Sequence, residues 1–119
     1  MGARPRTLVA DRHDKLVAAI SHLPYTLATT LVLAAQQVAE NDPVVWEVTA
    51  SGFRDTSRVA ASDVTMMLDI LLTNRTAVGE MITLARNQLD QFAQALAADD
   101  EAALQTLMER AAAQRRALY

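Results

Sequence analysis

From Asp11 to about Glu40 the chain carries Leu16, Ile20, Leu23, Leu27, Leu31 and Val38 at steps of three, four or seven residues. That spacing lines one face of an α-helix, whereas the alternating side chains of a strand would scatter it over both faces. At 1.5 Å per residue such a helix is about 45 Å long. Asp11 has the chemistry of an N-cap, and Asn41-Asp42-Pro43 is a stop signal. Pro24 lies in the interior and should kink the helix, because its ring removes a backbone donor. The run Leu31-Val32-Leu33-Ala34-Ala35 is apolar all round, a pattern that belongs to helices buried on every side.

A second periodic segment begins behind Ser62-Asp63, a helix-start pair, and continues through Met67, Leu71, Val78, Ile82, Ala85, Leu89, Phe92 and Leu96. Asp99-Asp100-Glu101 interrupts it and places negative charge where a new helix begins. The last helix carries Leu104, Leu107, Met108 and Ala111. Between the long segments, Val44 to Ser57 reads as a short helix followed by a structured turn, and Met1 to Val9 reads as extended or irregular. Only three glycines, three prolines and 4% aromatic residues are present, so little supports hairpins or pleated surfaces. The expected fold is all-α: a long kinked helix, a second long helix and shorter helices. Residues 1–10 form a stub and 11–119 a helical domain. Two long helices expose more apolar surface than 119 residues can cover. A second copy in an intertwined homodimer is the economical cover. A monomeric bundle closed by its last two helices is the alternative.

Charge and composition exclude several classes. A net charge of −3 with interspersed signs gives no positive field for nucleic acid. The absence of cysteine removes disulfides and thiolate metal sites. His13 and His22, nine residues apart, face roughly opposite sides of a helix, and no His-Glu-x-x-His motif is present, so no metal site is expected. The uninterrupted apolar runs are short of the roughly 20 residues of a membrane span. The basic N-terminus lacks the apolar core of a secretion signal. A soluble, cytoplasmic protein without a membrane partner is the expectation. No Gly-x-Gly-x-x-Gly turn or phosphate-binding loop occurs, so no cofactor site is expected in the chain itself.

Two groups of residues could carry chemistry. At 100° per residue Asp14, Ser21, Tyr25 and, nearby, His22 and Thr29 share one side of the first helix, opposite the Leu16-Ile20-Leu23-Leu27 stripe. A polar stripe is commonly a solvated face, yet Ser, His, Tyr and Thr are short-range hydrogen-bonding groups, unlike the Lys and Glu of most such faces. The second group is Gly52-Phe53-Arg54-Asp55-Thr56-Ser57-Arg58. If helical, it sets Arg54 and Arg58 on one face, with Asp55 close enough to pair with Arg58. This is either a surface ion pair or a guanidinium fork for a substrate carboxylate.

The motifs His13-Asp14, Ser21-His22-Leu23-Pro24, Gly52 to Arg58, Ser62-Asp63, and Asp69-Ile70 with Asn74 resemble, in order and spacing, those of the prephenate/arogenate dehydrogenase family. Gly2-Ala3-Arg4 resembles that family's last strand as it leaves the nucleotide-binding half. The resemblance, from about Gly2 to Arg116, implies the C-terminal helical dimerisation domain of an enzyme of tyrosine biosynthesis. A Rossmann-type N-terminal domain would hold NAD or NADP and the catalytic histidine, leaving no catalytic residue in this chain. By the same resemblance Arg58 holds a carboxylate of prephenate or arogenate, and His22, Tyr25 and Ser21 belong to the pocket. Asp14, Asp55 and Arg54 then belong to an ionic network at its mouth. Many members carry histidine where this chain has Tyr25, tryptophan at Met67 and proline at Val64, which leaves prephenate and arogenate both open. Two rival readings remain: a stand-alone helical dimerisation module without catalysis, and a helical chorismate mutase. The second is disfavoured because Lys15 is the only lysine.

Overall fold

The computed structural model describes residues 3–119, with side chains from Val9 onward; the expectations for Met1 and Gly2 lie outside the described residues. All regular structure among them is helical. Helix α1 (Ala3–Val17) runs through a π-helical turn (Ala18–His22) into α2 (Leu23–Asn41). Asp11 is therefore not an N-cap but lies inside α1, and Ala3 to Val9, expected to be extended, is helical. Pro5 is tolerated because it falls in the first turn, where backbone N–H groups have no intrahelical acceptor. Ala3 and Arg4 likewise start a helix and not a strand.

The disturbance expected at Pro24 takes the form of the π turn. The Leu23 N–H donates to the Ala18 carbonyl, five residues back, immediately before the proline that cannot donate at all. Beyond it, the Thr26 hydroxyl donates to the His22 carbonyl at 3.0 Å and that of Thr30 to the Thr26 carbonyl at 2.8 Å.

Val44 to Ser57 is not one short helix and a turn. It comprises a 3₁₀ segment (Pro43–Val48) and α3 (Ser51–Ser57), followed by a second 3₁₀ segment (Arg58–Ala61). The Trp46 and Phe53 rings, 6.2 Å apart and tilted, link the first two. Asp63 caps α4 (Val64–Thr73), its carboxylate accepting from the Thr65 N–H at 3.3 Å, as Ser62-Asp63 implied. The second long helix is broken. Asn74 leaves the helical region (φ −118°, ψ 31°), so α4 ends there and α5 spans Arg75–Ala97.

The chain forms two compact units, one ending at Met81 and one beginning at Ile82. In the first, the Arg58–Ala61 segment packs on α2, and the buried residues are Ala18, His22, Ala28, Met67, Ala77 and Val78. Half are alanines, so helices approach closely but bury little area. Of the apolar stripe predicted for the first helix, Ile20 is 78% exposed and Leu16, Leu27 and Val38 are between 42% and 54%, while Leu23 and Leu31 are half-buried; Leu33, from the all-round apolar run, is 55% exposed. At 1.5–3 kcal/mol for full burial of each such side chain, the five exposed ones alone forgo roughly 4–8 kcal/mol, comparable to a whole domain's stability. By length and composition the helix Val9–Asn41, 33 residues, also suffices to cross a membrane, which the count of uninterrupted runs missed. Single Ser, His, Thr and Gln residues break the runs without making the helix polar overall, and a helix covered by protein has the same composition.

The second unit joins the rest of α5 to α6 (Glu101–Leu118). Asp99 N–H donates to Leu96 O and Asp100 N–H to Ala95 O, the pairing of a Schellman ending, with Asp99 in the left-handed region at φ 53°. The Asp100 carboxylate then caps α6 by accepting from the Ala103 N–H at 3.0 Å. A glycine at position 99 would adopt this backbone without the steric cost that an L side chain meets. Asp99→Gly is therefore expected to stabilise the chain by about 0.5–1 kcal/mol. Chemical denaturation checks this, and a loss of stability would show that the Asp99 side chain contributes more than its backbone costs.

Candidate functional site

The first unit brings three parts of the sequence together at the π turn. His22, the last residue of that turn, is 7% exposed and is the one polar residue among the buried ones described. Asn74, at the break between α4 and α5, reaches it across 52 positions of sequence. Its Nδ2 lies 3.3 Å from His22 Nδ1 and donates to the Asp14 carbonyl at 3.0 Å. One amide thus ties the α4–α5 junction to α1 and to the π turn. The Asn74 break and the burial of His22 belong to one arrangement, because a straight α4–α5 helix would give position 74 a different backbone.

Of the other residues expected on this side, Tyr25 is half-buried one turn after His22, and Ser21 and Asp14 are exposed. The Thr29 hydroxyl is buried and has no hydrogen-bond partner. The polar stripe therefore turns partly inward, while Leu16, Ile20 and Leu27 of the apolar stripe are exposed.

A cleft of about 290 Å³ adjoins this point, lined by Asp11, Asp14 and Lys15 of α1 and by Asn74, Thr76 and Glu80 across from them. Three carboxylates against one ammonium make the cleft a poor site for a dicarboxylate.

Arg54 is in α3 and Arg58 opens the 3₁₀ segment that packs on α2; both are exposed, as is Asp55. No ion pair joins Asp55 to either arginine among the described residues. The helix ends at Ser57, whose hydroxyl donates to the Phe53 carbonyl at 2.6 Å, and the tighter 3₁₀ winding at Arg58 departs from the α-helical register that the expected i, i+3 pairing assumed. Both guanidinium groups thus keep their donors for another partner. Among the described residues no three His, Asp or Glu side chains gather as a metal site would require.

Asn74 is the site residue that position in the sequence did not assign a role. Its one signal was a carboxamide inside an otherwise apolar helical period, where such a side chain competes with the backbone.

The first unit thus combines a thin alanine-rich core, a largely exposed apolar stripe and a buried histidine held from a distant helix break. The description "Prephenate dehydrogenase, dimerization domain" matches residues 9–110, and the chain belongs to that family. It is 35% identical over 102 residues to the prephenate dehydrogenase of Lactococcus lactis, covering 86% of this chain and 29% of that protein. It is 30% identical over 102 residues to the cyclohexadienyl dehydrogenase of Zymomonas mobilis, covering 84% of this chain and 34% of that one. The crystal structure of Synechocystis arogenate dehydrogenase superposes with a TM-score of 0.83 at 26% identity, over 91% of this chain and 40% of that one. The chain thus spans about a third of the length of these curated relatives.

The buried, unpartnered Thr29 hydroxyl yields a direct test. Thr29→Val keeps the shape and removes a desolvated polar atom, so it should leave stability unchanged or raise it by about 1 kcal/mol. A melting temperature lowered by several degrees would mean that the hydroxyl has a partner in the assembled protein.

Proposed function

We propose that this chain is the dimerisation and substrate-wall part of an NAD(P)-dependent prephenate or arogenate dehydrogenase of the cytoplasm. The observation that carries the reading is the family match over residues 9–110, which include a helix whose apolar stripe is only partly covered within its own unit. A second copy would cover Leu16, Ile20, Leu27 and Leu33, which makes the homodimer part of the same reading.

The residues present do not fit a dinucleotide. All described elements are helical, and no Gly-rich turn leaves a strand toward a helix N-terminus. The nicotinamide, which accepts hydride in the reaction of such enzymes, belongs to a nucleotide-binding half, and no step here runs through it. What this chain would supply is binding. Arg58, exposed and without an ion pair, has a planar fork free for a substrate carboxylate. On this reading His22 and Tyr25 supply hydrogen-bonding groups to the same substrate, and Asp14, Asp55 and Arg54 set the charge around the mouth of the pocket. The second reading, a stand-alone dimerisation module, is supported by the same apolar stripe but leaves the buried His22–Asn74 contact without a use.

Two outcomes test this. The 119-residue chain by itself should bind neither NAD nor NADP and should not oxidise prephenate; saturable cofactor binding by calorimetry would refute the division of labour. Joined to a nucleotide-binding half, Arg58→Ala should raise the KM for substrate about 30-fold to 1000-fold, with Arg58→Lys recovering only part. If Arg54→Ala has the larger effect, the wrong arginine has been assigned.

A further inference from the structure

His22 has a tautomer that its surroundings dictate. The Asp14 carbonyl is an obligate acceptor, so the Asn74 group 3.0 Å from it must be the NH₂ and not the carbonyl end. That fixes the orientation of the carboxamide, which for an isolated amide is an assignment and not an observation. The same NH₂ lies 3.3 Å from His22 Nδ1. Two donors cannot share a hydrogen bond, so Nδ1 must be the unprotonated, accepting nitrogen and the proton must sit on Nε2.

We propose that Asn74 is a positioning residue: through the Asp14 carbonyl and Nδ1 it holds His22 as the Nε2–H tautomer, so that the buried ring presents a single hydrogen-bond donor. Nε2 has no protein partner among the described residues, which leaves that donor to a ligand or a water. The chemical class of ligand it fits is an oxygen acceptor: a carboxylate, a carbonyl or a hydroxyl oxygen. That this acceptor belongs to the substrate rests on the pocket reading above; the tautomer does not. The contact is made from the helix break itself, where Asn74 has φ −118° and ψ 31° and its short side chain reaches both Asp14 and His22.

The test is the nitrogen NMR signature of the two histidines in the ¹⁵N-labelled 119-residue chain, at a pH where the rings are neutral. His13, exposed in α1, is the internal reference for an unconstrained ring. His22 should show one tautomer, with Nδ1 at the position of an unprotonated nitrogen and Nε2 at that of a protonated one, and not the average that His13 gives. Asn74→Asp replaces the donor beside Nδ1 with an acceptor, and should move the His22 Nδ1 resonance to the position of a protonated nitrogen. Far-UV circular dichroism establishes that the variant is folded; where it is not, the wild-type spectrum decides. A protonated Nδ1 or an averaged pattern at His22 in the wild type overturns the proposal, as does an unprotonated Nδ1 in folded Asn74→Asp. Because no substrate enters this measurement, its failure is separate from a failure of the Arg58 kinetics, which test the pocket alone.

Discussion

A helix running from Ala3 to Asn41 has more apolar circumference than the elements packed on it conceal. The face it turns toward its own unit is built from Ala18, His22 and Ala28, small or polar residues that bring helices close and bury little. The larger side chains, Leu16, Ile20, Leu27, Leu33 and Val38, are on the outside. With side chains of this size left in water, hydrophobic stabilisation worth several kcal/mol is forgone in a molecule whose net stability is of the same order. The internal core of this unit is correspondingly thin, with Ala18, Ala28 and Ala77 making up half of its buried residues among those described.

That core meets the candidate site at one residue. The short Asn74 side chain spans from the Asp14 carbonyl to His22, which is buried. A buried ring with one nitrogen already engaged has a defined direction for its remaining donor. The π turn ahead of Pro24 places the histidine at that contact.

Much of this was legible in the sequence. Period-3.6 spacing gave the helical class, Ser62-Asp63 and Asp99-Asp100-Glu101 marked real helix boundaries, and the ordered motifs pointed to the family that residues 9–110 match. Three features were not legible, each because a tertiary or positional effect outweighs a local rule. Asp11 reads as a cap but lies inside a helix, since a proline at position 5 is harmless in a first turn. The apolar period resumes in register at Val78 after a seven-residue step across Asn74, yet the helix breaks there, where Asn74 contacts residues 52 and 60 positions away. Arg54, Asp55 and Arg58 have the spacing of an ion-paired helical turn, but the winding tightens at Arg58 and the pair does not form. Local spacing carries the first step of such an inference and has no access to the second, which depends on what the fold brings alongside.

The account stands or falls on the uncovered stripe of the first helix. Light scattering on the 119-residue chain at micromolar concentration, beside an Ile20→Glu variant, measures it most directly. A mass of two chains for the wild type, shifting to one chain or to an unfolded species with glutamate at position 20, is the predicted result. A wild-type mass of one chain with cooperative thermal unfolding would contradict it, since the apolar face would then be stable in water without a partner.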